Sequence, residues 1–168
     1  MNKLNHVAFI MDGNGRWGRK KKKSRNFGHL KGVDTVKKIV NSSIKFKIPI
    51  VTFYVFSSEN WKRPKKEISF LFKLIKSYFT KEIGNTISKG IKINIFGEIS
   101  KLSKDLRSIL KRSVKLTKKN KKITVNLAIN YGAKNEILLT AKKVKNKINM
   151  KNFEKNLYTS NMPHPDIL

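Results

Sequence analysis

The amino-acid sequence predicts a single α/β domain with a largely parallel central sheet flanked by helices. Short apolar and β-branched runs alternate with segments in which apolar residues recur at helical spacing. Glycines and polar residues separate the two kinds of segment. The chain of 168 residues contains neither a repeat nor a linker, and it is long enough for one domain with a real core.

Four strands are predicted, each a short apolar run that ends at a glycine or at polar residues. The last three residues, 166–168, resemble the opening of a fifth strand. The four predicted strands span residues 7–11, 50–56, 91–95 and 123–129.

Helices are predicted between these strands wherever apolar residues follow the i, i+3, i+4 rhythm. One begins near Arg16, and the polar, basic segment 18–27 reads as a loop or a frayed helical turn. The segment 57–64 is a polar turn with helix-capping residues, and the tail 153–165 is loop-like or partly helical. The longer predicted helices span residues 30–42, 68–87, 102–116 and 137–148.

The order of elements predicts where a ligand would bind. In open parallel sheets, ligands bind beyond the carboxyl ends of the strands. The segments 12–16 and 57–61 follow the first and the second strand, so we expect one cleft to hold both.

The net charge of +29 first suggests nucleic-acid binding. Lysines, however, are scattered over every segment, as expected for an AT-rich genome, and the dense cluster 20–23 lacks interleaved aromatic residues. We therefore expect no nucleic-acid partner and favour a weak attraction to anionic membrane surfaces. The absence of cysteine excludes disulfides and fits a cytoplasmic location, with association at the inner face of the membrane left open.

Asp12 stands at the end of the first strand, in a glycine-rich turn. Gly13 and Gly15 allow a tight turn and a close approach to a ligand, and N–H groups at the start of a following helix suit a phosphate. Because Asp12 would repel a bare phosphate, it makes more sense holding a cation that the phosphate also touches. A strand, a turn and a helix cap with nothing bound is the alternative.

Four of the six arginines of this lysine-rich chain fall in the predicted loops at the cleft: Arg16, Arg19, Arg25 and Arg63. Lysine would satisfy a need for charge alone, so arginine here suggests planar, bidentate contacts to phosphate, with chance clustering as the alternative. His29 lies beside these arginines. Glu59 is either a second carboxylate of the site or an acid in the first turn of a helix.

Four motifs carry a resemblance to a known family, in its order and at its spacing: HVAFIMDGNGRW, RNFGHLKG, FYVFSSENWKRPKKEI and INYGAKNEI. The chain resembles the cis-prenyltransferases, the undecaprenyl diphosphate synthase family, over its whole length. The resemblance implies repeated condensation of isopentenyl diphosphate onto an allylic diphosphate such as farnesyl diphosphate. In bacteria, the product is the lipid carrier for cell-wall glycan precursors. It also implies a Mg²⁺ cofactor and, for the full-length protein, a homodimer.

The resemblance also assigns roles to individual residues. Asp12 matches the essential aspartate that is tied to magnesium and to diphosphate migration, and Asn60 matches the residue proposed to help remove the proton. The helix 68–87 would line a tunnel for the growing chain, or simply pack in the core, and residues near Ile123 would form the tunnel floor. Substrate contacts are implied for Gly13, Asn14, Gly15, Arg16, Trp17, Arg25, His29, Ser57, Ser58, Glu59, Trp61 and Arg63.

The match to the family pattern stops at Leu168. The family continues with residues that bind isopentenyl diphosphate and complete the magnesium site. We therefore expect residues 1–168 to be one cis-prenyltransferase domain that lacks its C-terminal part. Two other functions stay open: an inactive or accessory member that pairs with a complete synthase, and a basic RNA-binding protein.

Overall fold

The computed structural model describes residues 4–145 and 148–168. Within these residues, the strands are β1 (His6–Ile10), β2 (Ile50–Ser57), β3 (Ile91–Phe96) and β4 (Ile123–Tyr131). The α-helices are α1 (Asn14–Lys20), α2 (Arg25–Lys45), α3 (Lys65–Ser88), α4 (Lys104–Thr117), α5 (Ala133–Val144) and α6 (Met150–Asn156). Short 3₁₀ helices span Ser58–Lys62 and Ile99–Lys101.

The four strands form one sheet in the order β1-β2-β4-β3, and every neighbouring pair is parallel. Beyond β1, Ile167 forms a parallel bridge to Val7, and Ala8 N donates to Ile167 O at 2.8 Å. The predicted α/β class with a parallel sheet is confirmed, and the predicted opening of a fifth strand corresponds to this bridge.

The core lies between the central strands and helices α2, α3 and α4. β2 and β4 supply fully buried side chains such as Val51, Phe53 and Ile129, and Leu110 of α4 is equally inaccessible. Helix α3 packs on α4 and β3, and α2 packs on α3 and β4. Burying these apolar side chains fixes α2 and α3 over the sheet.

The structure corrects the prediction that residues 18–27 form a loop. α1 runs from Asn14 to Lys20, and α2 already begins at Arg25 because Ser24 caps it, its Oγ accepting from Phe27 N at 3.1 Å. The first turn of α2 has no apolar periodicity, so spacing alone did not indicate it. The segment predicted as a polar turn before α3 contains the 3₁₀ helix Ser58–Lys62.

The helix predicted over 137–148 ends earlier than expected. α5 stops at Val144, and Lys145 has a left-handed backbone with φ of 47°. Ile148 therefore lies outside the helix, while residues 146 and 147 are not among those described. No helix in the described part of the chain is both long and apolar enough to cross a membrane.

Candidate active site

The carboxyl ends of β1 and β2 open into the same cavity, which has a volume of about 390 Å³. Asp12 and Asn14 follow β1, and Ser57, Glu59 and Asn60 follow β2; all five line this cavity. The parallel neighbouring strands bring the two segments together, as the sequence predicted.

Asp12 is held at the mouth of the cavity by its own turn. Its Oδ1 accepts from Gly13 N at 2.6 Å and its Oδ2 accepts from Arg16 Nη2 at 3.1 Å. Gly13 has φ of 83°, a backbone that side chains rarely adopt, and it caps α1. The Asp12 side chain is 67% exposed, so its carboxylate stays accessible to a ligand.

Two glycines let α1 and α2 approach closely beside this turn. A Cβ added at Gly28 would overlap the Asn14 carbonyl, and one added at Gly18 would overlap the Ser24 carbonyl. These contacts bring the start of α2 against the Asp12 turn. At Gly15, a Cβ would lie 3.1 Å from the Arg25 guanidinium.

A buried carboxylate that the sequence analysis missed, Glu67, organises the cationic side chains of the site. Its oxygens accept from Arg25 Nε at 2.9 Å, from Arg25 Nη2 at 3.0 Å and from Arg63 Nη1 at 3.2 Å. His29 Nε2 lies 3.2 Å from Glu67 Oε1. The signal in the sequence was that Glu67 is an acid among lysines, four residues after Arg63 and in the first turn of α3.

The electrostatics of this cluster follow from its burial. Burial works to raise the pKa of Glu67, but hydrogen bonds from Arg25 and His29 outweigh it and leave the pKa below its ordinary value. Burial lowers the pKa of His29 more than the Glu67 contact raises it. Near neutral pH, the cluster therefore holds two guanidinium charges, one carboxylate and a neutral imidazole. The surplus charge is positive.

The interior of the cavity is apolar. Its walls come from α2, α3 and the strands β2 and β4, and the charged side chains that line it, Asp12, Glu59 and Arg63, lie in the segments that follow β1 and β2. The apolar side chains on these walls include Val33, Val36, Val55, Leu71, Leu74, Ile75, Phe79, Leu127 and Ile129.

The model of a protein family described as putative undecaprenyl diphosphate synthase matches residues 10–168 of the chain. The chain belongs to this prenyltransferase family.

Curated relatives and solved structures agree with the family model. The isoprenyl transferase of Clostridium tetani is 39% identical over 97% of this chain and 68% of that protein. The ditrans,polycis-undecaprenyl-diphosphate synthase ((2E,6E)-farnesyl-diphosphate specific) of Haemophilus influenzae is also 39% identical, over 97% of this chain and 72% of that protein.

Two solved structures share the fold. Lavandulyl diphosphate synthase from Lavandula x intermedia, in complex with dimethylallyl diphosphate, superposes with a TM-score of 0.92 at 26% identity, covering 98% of this chain and 76% of that one. A probable undecaprenyl diphosphate synthase from Campylobacter jejuni has a TM-score of 0.78 at 32% identity, covering 94% and 71%.

About half of the sequence-predicted site residues of this prenyltransferase line the cavity, and the others surround it. Those on its wall are Asp12, Asn14, His29, Ser57, Glu59, Asn60 and Arg63. Those that do not line it are Gly13, Gly15, Arg16, Trp17, Arg25, Ser58 and Trp61.

The two tryptophans do not line the cavity, and each packs against a neighbouring aromatic ring. Trp17 stacks on Phe27 with ring centroids 6.1 Å apart. Trp61 Nε1 donates to Asn130 Oδ1 at 2.8 Å, and its ring packs edge-on against Phe56. In this structure, both rings support neighbouring elements of the site.

One sequence interpretation of the arginines needs correction. Arg16, Arg19 and Arg25 stand on helices α1 and α2 instead of in loops. Arg25 makes a bidentate contact with the Glu67 carboxylate, a partner that the sequence analysis did not predict, while its contact with phosphate stays a prediction. Ile123, expected near a tunnel floor, is buried at the start of β4 and does not line the cavity.

The oxygen donors at the mouth fit a metal ion that the substrate also binds better than one that protein side chains hold alone. The described residues contain no group of three or more His, Asp or Glu side chains that could hold an ion alone. The exposed Asp12 carboxylate is one suitable oxygen donor. Mg²⁺ is commonly held by one or two carboxylates together with substrate phosphate and water, so these residues fit a Mg²⁺ ion that a diphosphate also binds.

Proposed function

We propose that this protein transfers the prenyl group of an allylic diphosphate, such as farnesyl diphosphate, to isopentenyl diphosphate, with a new cis double bond at each step. The observation that carries the proposal is one cavity with the charged Asp12 and Arg63 and the neutral His29 at its mouth and an apolar interior between α2 and α3. An allylic diphosphate has the same division into a charged head and an apolar tail.

The size and charge of the site suit this substrate. A volume of about 390 Å³ falls within the range of small-molecule pockets. The surplus positive charge of Arg25 and Arg63 over Glu67 lies at the mouth, where it attracts a diphosphate. Apolar side chains such as Leu71 and Ile75 then bury the tail, which removes its hydrocarbon surface from water.

The proposed reaction breaks the bond from the allylic carbon to the diphosphate and forms a new carbon–carbon bond. The bond between the allylic carbon and the diphosphate oxygen breaks, and the diphosphate departs with the electron pair. The terminal alkene carbon of isopentenyl diphosphate, C4, forms the new carbon–carbon bond, which leaves positive charge on C3. A proton is then lost from C2, and its electron pair forms the new double bond between C2 and C3. Preorganised cations near the departing oxygen stabilise its developing negative charge, and Arg25 and Arg63 are placed by Glu67 to do so.

Asn60 and Asp12 complete the proposed machinery. Asn60 lines the cavity, and its Oδ1 accepts from Ser57 N at 3.2 Å, which holds its amide in place; we assign it a part in removing the proton. Asp12 would hold Mg²⁺ jointly with the diphosphate. When bound, Mg²⁺ supplies charge neutralisation for the leaving group.

The product is proposed to be a long-chain cis-polyprenyl diphosphate such as undecaprenyl diphosphate, used as a lipid carrier in cell-wall synthesis. The names of the curated relatives support this class of product. We further propose a cytoplasmic homodimer. We also propose peripheral membrane contact, because a net charge of +29 favours attraction to anionic lipid surfaces.

Incubation with farnesyl diphosphate, labelled isopentenyl diphosphate and Mg²⁺ tests the proposal. We expect labelled polyprenyl products in organic extracts, resolved by chain length, and their loss when Mg²⁺ is chelated. Binding of farnesyl diphosphate without turnover would favour an accessory subunit, and mixing with a complete synthase would then change that synthase's rate. A folded chain that neither binds farnesyl diphosphate nor forms product would contradict the proposal.

A further inference from the structure

The segment at the end of β4, residues 130–132, leaves the sheet beside the 3₁₀ helix Ser58–Lys62 that follows β2. Ser57 and Tyr131, which end the two strands, are paired in the parallel register. The two segments therefore run side by side at the carboxyl edge of the sheet, where the 3₁₀ helix carries Asn60 at the cavity. Contacts between the segments thus act on the position of Asn60.

The side chain of Asn130 joins the two segments through a hydrogen bond. Asn130 is 3% exposed, and its Oδ1 accepts from Trp61 Nε1 at 2.8 Å. The Trp61 ring also packs edge-on against Phe56 and Phe72, with centroids 5.4 and 5.5 Å away. Because Trp61 directly follows Asn60 in the chain, a fixed indole restricts movement of Asn60 away from the cavity.

Asn130 is itself oriented by the backbone that follows β3. Its Nδ2 donates to Glu98 O at 2.7 Å, and its carbonyl accepts from Glu98 N at 3.1 Å. The approach is close because Gly97 has φ of 114°, and a Cβ there would overlap the Ile129 carbonyl. Asn130 has φ of 52°, a left-handed backbone that asparagine tolerates better than most residues. One end of its amide is thus fixed by Glu98, and the other end holds Trp61.

A second close contact lies two residues later, between Gly132 and Ser58. A Cβ added at Gly132 would overlap Ser58 Oγ, so glycine leaves room for the first residue of the 3₁₀ helix. We call the Asn130–Trp61 and Gly132–Ser58 contacts together the brace. Its two contacts lie on either side of Asn60 in the chain.

We propose that Asn130 is a positioning residue for the proton removal assigned to Asn60. Through the brace, the end of β4 holds the 3₁₀ helix so that the Asn60 side chain stays at the cavity. The inference rests on the proposed function, because that function gives Asn60 its role. It assigns a role to residues of the INYG segment that do not line the cavity.

Hydrogen exchange of the full chain, measured by mass spectrometry on peptides, tests the brace without requiring turnover. Asn130→Gly keeps the left-handed backbone and removes both side-chain hydrogen bonds. Trp61→Phe keeps an aromatic ring and removes only the N–H donor. In both variants, the amides of the 3₁₀ helix Ser58–Lys62 should exchange about tenfold faster, because a hydrogen bond that holds this helix is lost.

Asn126→Ala is the matched control. Asn126 is fully buried on the same strand, and its amide bonds the side chains of Thr52 and Asn94 instead of the 3₁₀ helix. Its loss should destabilise the protein while exchange in Ser58–Lys62 and turnover stay unchanged.

Turnover separates a positioning role from a merely structural one. With farnesyl diphosphate, isopentenyl diphosphate and Mg²⁺, kcat of Asn130→Gly and of Trp61→Phe should fall about tenfold or more, because Asn60 is displaced from the reacting atoms. KM for farnesyl diphosphate should stay within about twofold, since Arg25 and His29 are held by Glu67 and not by the brace.

Each outcome bears on a different part of the inference. Unchanged exchange in Ser58–Lys62 in the folded variants would overturn the brace, and Trp61→Phe decides alone if Asn130→Gly does not fold. A kcat that falls as far in Asn126→Ala as in Asn130→Gly would overturn the positioning role. Absence of product from the unaltered chain would instead overturn the proposed function, and hydrogen exchange would still decide the brace.

Discussion

Arg25 and Glu67 are joined by two parallel hydrogen bonds, from Nε to Oε2 at 2.9 Å and from Nη2 to Oε1 at 3.0 Å. This pair ties the first residue of α2 to the first turn of α3. Because α2 and α3 form opposite walls of the cavity, the pair fixes the width of its mouth. Arg63 and His29 contact the same carboxylate, so one buried acid positions three side chains of the proposed diphosphate site.

Replacing Glu67 by Gln should destabilise the fold. Glu67 is only 8% exposed, and a neutral amide would leave the Arg25 and Arg63 guanidinium groups without their shared carboxylate. We expect the free energy of unfolding to fall by about 1 to 3 kcal/mol, measured by urea denaturation. Glu154→Gln, an exposed acid on α6, is the matched control and should change stability by less than about 0.5 kcal/mol. Equal effects of the two variants would show that the cluster does not stabilise the fold.

Stability should fall on acidification, and His29 should cause the first part of this fall. Its pKa in the folded protein lies below the ordinary value of 6.5, so the unfolded chain binds a proton first as the pH drops. The stability that neutral His29 contributes is therefore complete above pH 6.5 and is lost as the pH falls from there towards the folded pKa. The lowered pKa of Glu67 adds a second loss below its ordinary value of 4.5.

Urea denaturation at a series of pH values checks this order of events. The variant His29→Gln cannot titrate, so its stability should change less than that of the unaltered chain between about pH 7 and pH 5.5. Identical pH profiles for the two proteins would assign the slope to other groups.

Replacing Asp12 by Asn should abolish most of the Mg²⁺-dependent turnover while leaving the fold intact. The Asp12 side chain is exposed and bonds only within its own turn and to Arg16, so little stability depends on it. We expect product formation to fall by roughly a hundredfold or more, because a group that acts on charge developing in the transition state is lost. Asp105→Asn, at a surface pair with Lys76, should retain full activity. Full turnover by Asp12→Asn would remove Asp12 from the mechanism.

Two glycine substitutions should have opposite effects on stability. At Gly28, a Cβ would overlap the Asn14 carbonyl, so Gly28→Ala should force α1 and α2 apart and cost about 3 kcal/mol or more. At Gly84, an added Cβ meets nothing within 4 Å, and the position is exposed near the C-terminal end of α3. Gly84→Ala should therefore stabilise the protein by about 0.5 to 1 kcal/mol. Thermal and urea unfolding of both variants checks this, and tolerance of Gly28→Ala would argue against the close helix contact.

The sequence predicted the boundaries of an element well where a local residue pattern marks them. The β-branched run of β2 and the helical spacing of α3 gave boundaries close to those observed. The start of α2 was missed because a capping serine and a glycine contact across to Asn14 determine it, and neither produces apolar periodicity. For α5, apolar residues continue in phase beyond Val144, although the backbone turns at Lys145.

The sequence predicted the part of the site that the parallel sheet topology determines. Once the strands are parallel neighbours, the residues after β1 and β2 must meet at one edge, and Asp12 and Asn60 do line one cavity. Glu67 could not be found in this way, because its contacts to Arg25 and His29 cross 42 and 38 residues. These contacts depend on tertiary packing, so the sequence alone did not indicate that Arg25 and His29 share the Glu67 carboxylate.

The most direct test of this account is a crystal structure of the chain with Mg²⁺ and a non-hydrolysable thiodiphosphate analogue of farnesyl diphosphate. The account predicts the diphosphate at the mouth, near Asp12, Arg25 and His29, and the prenyl tail between α2 and α3. An analogue bound elsewhere, with this cavity left empty or collapsed, would contradict the central claim.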